Sequence, residues 1–126
     1  MLRDQVLVDT SVWIEYERGG NASICAKMRS LLKNSQVQVC ALVFLELLRG
    51  ITRAEHPIKG LLTQLPRLDM DWAVYEKAAD ISLSLRPKGI SLTLSDSLIA
   101  ATALQADVPL FTIDKDFKNI PGLTLF

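Results

Sequence analysis

Three short runs rich in β-branched residues, "QVLVD" at 5–9, "VQVC" at 37–40 and "PLFTI" at 109–113, are separated by stretches far too long for hairpin turns. Those stretches carry helical periodicity instead. Strands that cannot meet through a tight turn pair in parallel, each returned to the same end of the sheet by a helical crossover. The pattern predicts an α/β fold, a three-layer α/β/α sandwich around a mostly parallel central sheet.

The helical segments can be placed individually. "ASICAKMRSLLKN" sets Ile24, Met28, Leu31 and Leu32 on one face, and "SVWIEYER" reads as a helix capped by Thr10 or Ser11. "ALVFLELLRGI" and "IKGLLTQL" read as two more. A longer helix runs from Trp72 to Leu85, with Trp72, Tyr75, Ala79, Leu83 and Arg86 recurring at threes and fours. "SLTLSDSLIAATALQA" contains a last helix, capped by Thr93 or Ser95. "LPRLDMD" and "LTLF" are weaker strand candidates. Trp13, Tyr16, Trp72 and Tyr75 are expected as core or subunit-interface aromatics rather than base-stacking platforms.

Composition narrows the chemistry. With 126 residues, 49% of them apolar, the chain is read as one domain over 1–126 with a core of its own. Cys25 and Cys40 lack the paired spacing of zinc sites and are expected as buried thiols. His56 is the only histidine and precedes Pro57 at a helix start, so histidine-based hydrolytic triads and zinc protease motifs have no material. The apolar run "VCALVFLELL" is too short to span a bilayer and carries Glu46, and the N-terminus lacks the pattern of a secretory signal. A cytoplasmic protein with no membrane partner is expected.

The acids stand where a parallel sheet collects ligands, at the carboxyl ends of strands near a topological switch point. Asp9 ends "VLV", Asp114 ends "LFTI", and Asp96 falls in the first turn of the helix between them in the chain. Glu46 is flanked by Phe44, Leu45, Leu47 and Leu48, and a carboxylate in such company needs a partner. Singly, each acid has a plain structural use. Asp9 and Asp114 suit turns or N-caps, Asp96 with Thr93 resembles a capping box, Glu46 can pair with Arg49 or Arg53, and Asp116 suits a solvated turn.

Together they imply more. Carboxylates aimed at one crevice repel by on the order of 4 kcal/mol per close pair at an effective dielectric of about 20. Such a group persists when one member is protonated or a cation is bound. Oxygen donors alone favour Mg²⁺ or Mn²⁺, and such an ion beside a phosphate activates water for phosphodiester hydrolysis. Setting aside Asp9, Glu46, Asp96, Asp114 and Asp116 leaves nine acids against 14 basic residues, a net +5 that suits an approaching polyanion.

In this order and spacing, "VLVDTSVWIEY", "LELLRG", "SDSLIAATAL" and "LFTIDKDFKNIPGL" resemble the PIN-domain family of metal-dependent ribonucleases, in particular the VapC-type toxins of bacterial toxin–antitoxin pairs. The resemblance covers essentially the whole chain. It implies that Asp9, Glu46, Asp96 and Asp114 form the acidic quartet around Mg²⁺, with Asp9 and Asp96 the foremost metal ligands and Asp116 an accessory. It further implies that Thr112, or Thr10 and Ser11, position water or phosphate through their hydroxyls, while Arg49 contacts RNA phosphate or pairs with Glu46. One departure is Val43, three residues before Glu46, where similar proteins often carry Thr or Ser. The implied activity is Mg²⁺-dependent endonucleolytic cleavage of cellular RNA. The implied partners are a second copy of the chain and a small antitoxin, with "SVWIEY" and "ALVFLELL" as its surfaces.

Two other classes compete. A phosphoryl-handling α/β domain would use Asp9 as nucleophile, but "VDTSV" lacks the second aspartate two residues on that such phosphatases use. A non-catalytic binding module would have no need of so much mutual repulsion among its acids.

Overall fold

The computed structural model describes residues 4–51 and 56–126, and its core is a sheet of short strands. β1 (Val6–Val8) and β2 (Val37–Cys40) are buried at every position, as expected for parallel strands covered on both faces. β3 (Arg67–Leu68) and β4 (Leu110–Phe111) complete a four-stranded sheet in the order β3-β2-β1-β4, with every pairing parallel. The "LTLF" segment contributes a single bridge, Leu125 beside Leu110.

Among the described residues six α-helices connect the strands: α1 (Thr10–Glu17), α2 (Ala22–Lys33), α3 (Ala41–Arg49), α4 (Pro57–Gln64), α5 (Trp72–Leu85) and α6 (Leu94–Ala106). The chain moves outward from β1 through β2 to β3, then jumps back past β1 to β4. Right-handed crossovers running in opposite directions along a sheet lie on opposite faces. In keeping with this, α1 touches α2 and α3, and α3 touches α4, whereas α5 packs chiefly along α6; α3 also meets α6. The α/β sandwich expected from the strand spacing is therefore the fold. The reversal of direction falls between β1 and β4 and opens a crevice at their carboxyl ends.

α6 explains how the layers come so close. From Ser97 to Ala103 every residue is buried, and Ala100, Ala101 and Ala103 add little side-chain bulk between the packed elements. Among the described residues no helix is long and apolar enough to cross a membrane.

Three expectations need correction. α5 buries Val74, Ala78, Ile81 and Leu85, not the stripe from Trp72 to Arg86. Trp72 is 78% exposed and Tyr75 51%, so of the two expected places, core or subunit interface, the core is ruled out for both, whereas Trp13 is completely buried. The period was right and the phase wrong, because α5 carries apolar residues on two faces. At the start of α1 the N-cap is Asp9, and Thr10 is already helical. His56 caps α4 as expected, its Nδ1 accepting from the Ile58 amide at 3.1 Å. Cys25 and Cys40 are both buried and free.

Candidate metal centre

Asp9 emerges from β1 into α1 and is only 4% exposed. Its backbone is the N-cap of the helix, yet its carboxylate caps nothing. Oδ2 instead accepts two hydroxyl protons, from Ser11 at 2.7 Å and from Thr112 at 2.8 Å. Thr112 follows β4, so that second bond spans the switch point. The strand ends are held in register there by the Asp9 amide, which donates to the Phe111 carbonyl at 2.9 Å.

The loop after β4 folds tightly through the same hydroxyl. Thr112 Oγ1 accepts the Asp114 amide at 3.0 Å, and Asp114 Oδ1 accepts the Asp116 amide at 2.9 Å. The turn use foreseen for Asp114 thus occupies one of its oxygens and returns Asp116 toward the crevice. On the other side, the Thr93 hydroxyl accepts the Asp96 amide at 3.0 Å and caps α6. With the cap supplied by Thr93, the Asp96 side chain is not needed for that task.

Asp96, Asp114 and Asp116 can each offer one carboxylate oxygen to a common point, the three atoms lying within 4.8 Å of one another. Asp9 and Glu46 are outside that tight group. Asp9 is nonetheless close enough to act on it. The Asp96 carboxyl is pushed up to about 6, first by burial, then by the negative charges of Asp114 and Asp9 and, after the opposing effect of Thr93, of Asp116.

Glu46 finds its partner on another helix. Thr10 Oγ1 donates to Glu46 Oε1 at 2.7 Å. The hydroxyl missing at Val43 is replaced from α1, and Val43 itself is fully buried in the core. Arg49 makes no ion pair with Glu46, since the single salt bridge among the described residues joins Arg18 to Glu15. Arg53 lies outside the described residues. Cys40, at the end of β2, has its thiol raised by burial, with the charges of Glu46 and Asp9 adding to the effect after two opposing backbone hydrogen bonds. It stays a protonated neighbour rather than a thiolate ligand.

The donor set therefore fits a hard divalent cation. It offers carboxylate oxygens, no thiolate and no free imidazole, and no cationic side chain among the described residues is bridged to it. Asp116 is exposed, as its solvated-turn pattern suggested, yet its carboxylate comes within reach of those of Asp96 and Asp114. The Asp-x-Asp spacing was the available signal, because a side-chain-capped turn brings the residue two positions on back beside the first.

A second feature begins at Glu46. A groove of about 400 Å³ runs between α1, α3 and α4, walled by Ile14, Leu47, Ile51 and Ile58 and with Glu46 among its lining residues.

Comparison with known proteins identifies the family and the fold. The PIN domain family model matches residues 6–123. Ribonuclease VapC of Rickettsia bellii is 35% identical over 94% of this chain and 92% of its own length. Ribonuclease VapC11 of Mycobacterium tuberculosis is 30% identical over 94% and 93%. Among solved structures, VapBC2 from Rickettsia felis, bound to a DNA fragment from its promoter, superposes with a TM-score of 0.80 at 23% identity. It covers 96% of both chains. DNA-bound VapBC from Salmonella typhimurium gives 0.79 at 22% identity, over 100% of this chain and 98% of the other.

Proposed function

This chain belongs to the PIN domain family, and on that footing we propose that it is a metal-dependent endoribonuclease, the toxin of a type II toxin–antitoxin pair. The observation that carries the reading is the convergence of Asp96, Asp114 and Asp116 beside Asp9 at the β1/β4 switch point, with no cationic side chain bridged to them among the described residues. Relatives at 30–35% identity over nearly the whole chain are ribonucleases by name.

In this reading Asp9, Glu46, Asp96 and Asp114 hold Mg²⁺ or Mn²⁺, with Asp116 as a further carboxylate. The bound ion supplies polarisation of the phosphoryl oxygen and activation of water for in-line displacement. The chain's own residues do the rest. Asp9 is steadied by Ser11 and Thr112, Glu46 by Thr10, and the Thr93 cap leaves the Asp96 carboxylate to the crevice. Exposed Lys115 and Lys118 stand next to Asp114 and Asp116 in the chain and suit a polyanionic backbone. Arg49, exposed at the end of α3, is a further phosphate contact.

The partner reading rests on the toxin–antitoxin complexes that share this fold and on the apolar groove beginning at Glu46. An antitoxin segment laid along Ile14, Leu47 and Ile58 reaches the acids with a basic side chain. The assembly is a homodimer or a toxin–antitoxin hetero-oligomer, acting in the cytoplasm.

The test is cleavage of RNA by the purified protein. Mg²⁺ or Mn²⁺ is expected to support it, and EDTA or Asp96→Asn to abolish it. Cleavage that persists in EDTA, or in Asp96→Asn, overturns the metal mechanism.

A further inference from the structure

We infer that Ser11 and Thr112 are positioning residues that act on the metal through Asp9, by immobilising one of its two carboxylate oxygens. The inference rests on the metal-dependent reading above. Both hydroxyl protons are already committed to Asp9 Oδ2, at 2.7 and 2.8 Å. Both hydroxyl oxygens also accept backbone amides, Thr112 from Asp114 at 3.0 Å and Ser11, more weakly, from Ile113 at 3.4 Å. A hydroxyl has one proton to give, so neither can also donate to a substrate phosphate or to water while these bonds stand.

The consequence for Asp9 is an asymmetric carboxylate. Two donors claim Oδ2, and among the described residues no hydrogen bond reaches Oδ1, which is left as the oxygen for a cation. An aspartate at a helix N-cap ordinarily turns an oxygen to the first-turn amides. Here the hydroxyl pair competes with that use, and the carboxylate makes no capping bond. The clamp also ties two chain segments together. Ser11 belongs to the β1 side and Thr112 to the β4 side, their oxygens 3.4 Å apart, so the pair couples the position of Asp9 to the loop that carries Asp114.

Mn²⁺ binding to the purified full chain, read from the electron paramagnetic resonance of the free ion, tests this without requiring turnover. Thr112→Val and Ser11→Ala are each expected to weaken Mn²⁺ binding, and the double variant to weaken it by about 10- to 100-fold, the usual effect of losing a ligand's supporting hydrogen bonds. Because both hydroxyls serve one oxygen, the double loss should fall short of the product of the single losses. Thr112→Ser keeps the proton and should restore binding. Thermal melting of the metal-free variants accompanies each titration, and Ser11→Ala carries the test if Thr112→Val fails to fold. Parent-like Mn²⁺ binding in folded variants, or a loss in Thr112→Ser equal to that in Thr112→Val, overturns the clamp alone. Absence of Mn²⁺ binding in the parent overturns the metal reading and the clamp together.

Discussion

Thr10 and Glu46, 36 positions apart in the chain, meet through a 2.7 Å hydrogen bond that joins α1 to α3. It answers how a glutamate set among leucines is tolerated. Among the described residues the partner is a neutral hydroxyl, and no arginine is bridged to the carboxylate. Thr10→Val is expected to destabilise the protein by roughly 1.5 kcal/mol, near the lower end for a bond to a charged group, because Glu46 is only partly buried. Urea unfolding measures this, and a loss of RNA cleavage should accompany it.

Burial of Asp96, reinforced by repulsion from Asp114 and Asp9, makes the metal-free protein sensitive to pH. The folded-state value for Asp96 lies at about 6, above the ordinary 3.8. The native state therefore holds more protons between those values, and stability falls as pH rises through the window. The stabilising share of protonated Asp96 is complete below the ordinary value and gone above the raised one. Melting curves of metal-free parent and Asp96→Asn, taken in EDTA between about pH 4 and pH 7, should diverge as pH rises, with the asparagine variant the more stable at the upper end.

Metal ions compete with that proton. Mg²⁺ or Mn²⁺ should raise the melting temperature of the parent more at neutral pH than at about pH 5, since Asp96 must ionise to bind. An equal shift at both values would remove Asp96 from the ligand set.

The turn between α1 and α2 depends on Glu15, which accepts from the Asn21 amide at 2.8 Å and bridges Arg18 at 2.9 Å. A Cβ on Gly20 would collide with Glu15 Oε1. Gly20→Ala should expel that side chain and cost about 1 kcal/mol in denaturant unfolding, the scale of one lost hydrogen bond.

The phase of α5 can be read by two substitutions. Trp72→Ala, at an exposed position, should change stability by less than about 0.5 kcal/mol, whereas Ile81→Ala, at 6% exposure, should cost about 2–5 kcal/mol. A reversal of that order would put the Trp72 face in the core.

The sheet was legible from the chain because its evidence is local. Buried parallel strands are short β-branched runs, and crossovers declare themselves by length, so β1, β2 and β4 could be located before any contact was known. The acids that follow strands were legible for the same reason. The face buried by α5 was not, because a helix with apolar residues on two sides has a period but no unique phase.

The finer chemistry of the centre lies beyond local pattern. That Asp9 looks to Thr112, 103 positions away, depends on β4 pairing beside β1 rather than at the far edge of the sheet. That Asp116 joins Asp96 and Asp114 depends on a turn closed by the Asp114 side chain. The amino-acid sequence by itself determined the layered α/β architecture and the acids available to it. Only the tertiary structure decided which oxygens are occupied and which remain for a cation, because hydrogen bonds between distant segments follow strand order and helix packing.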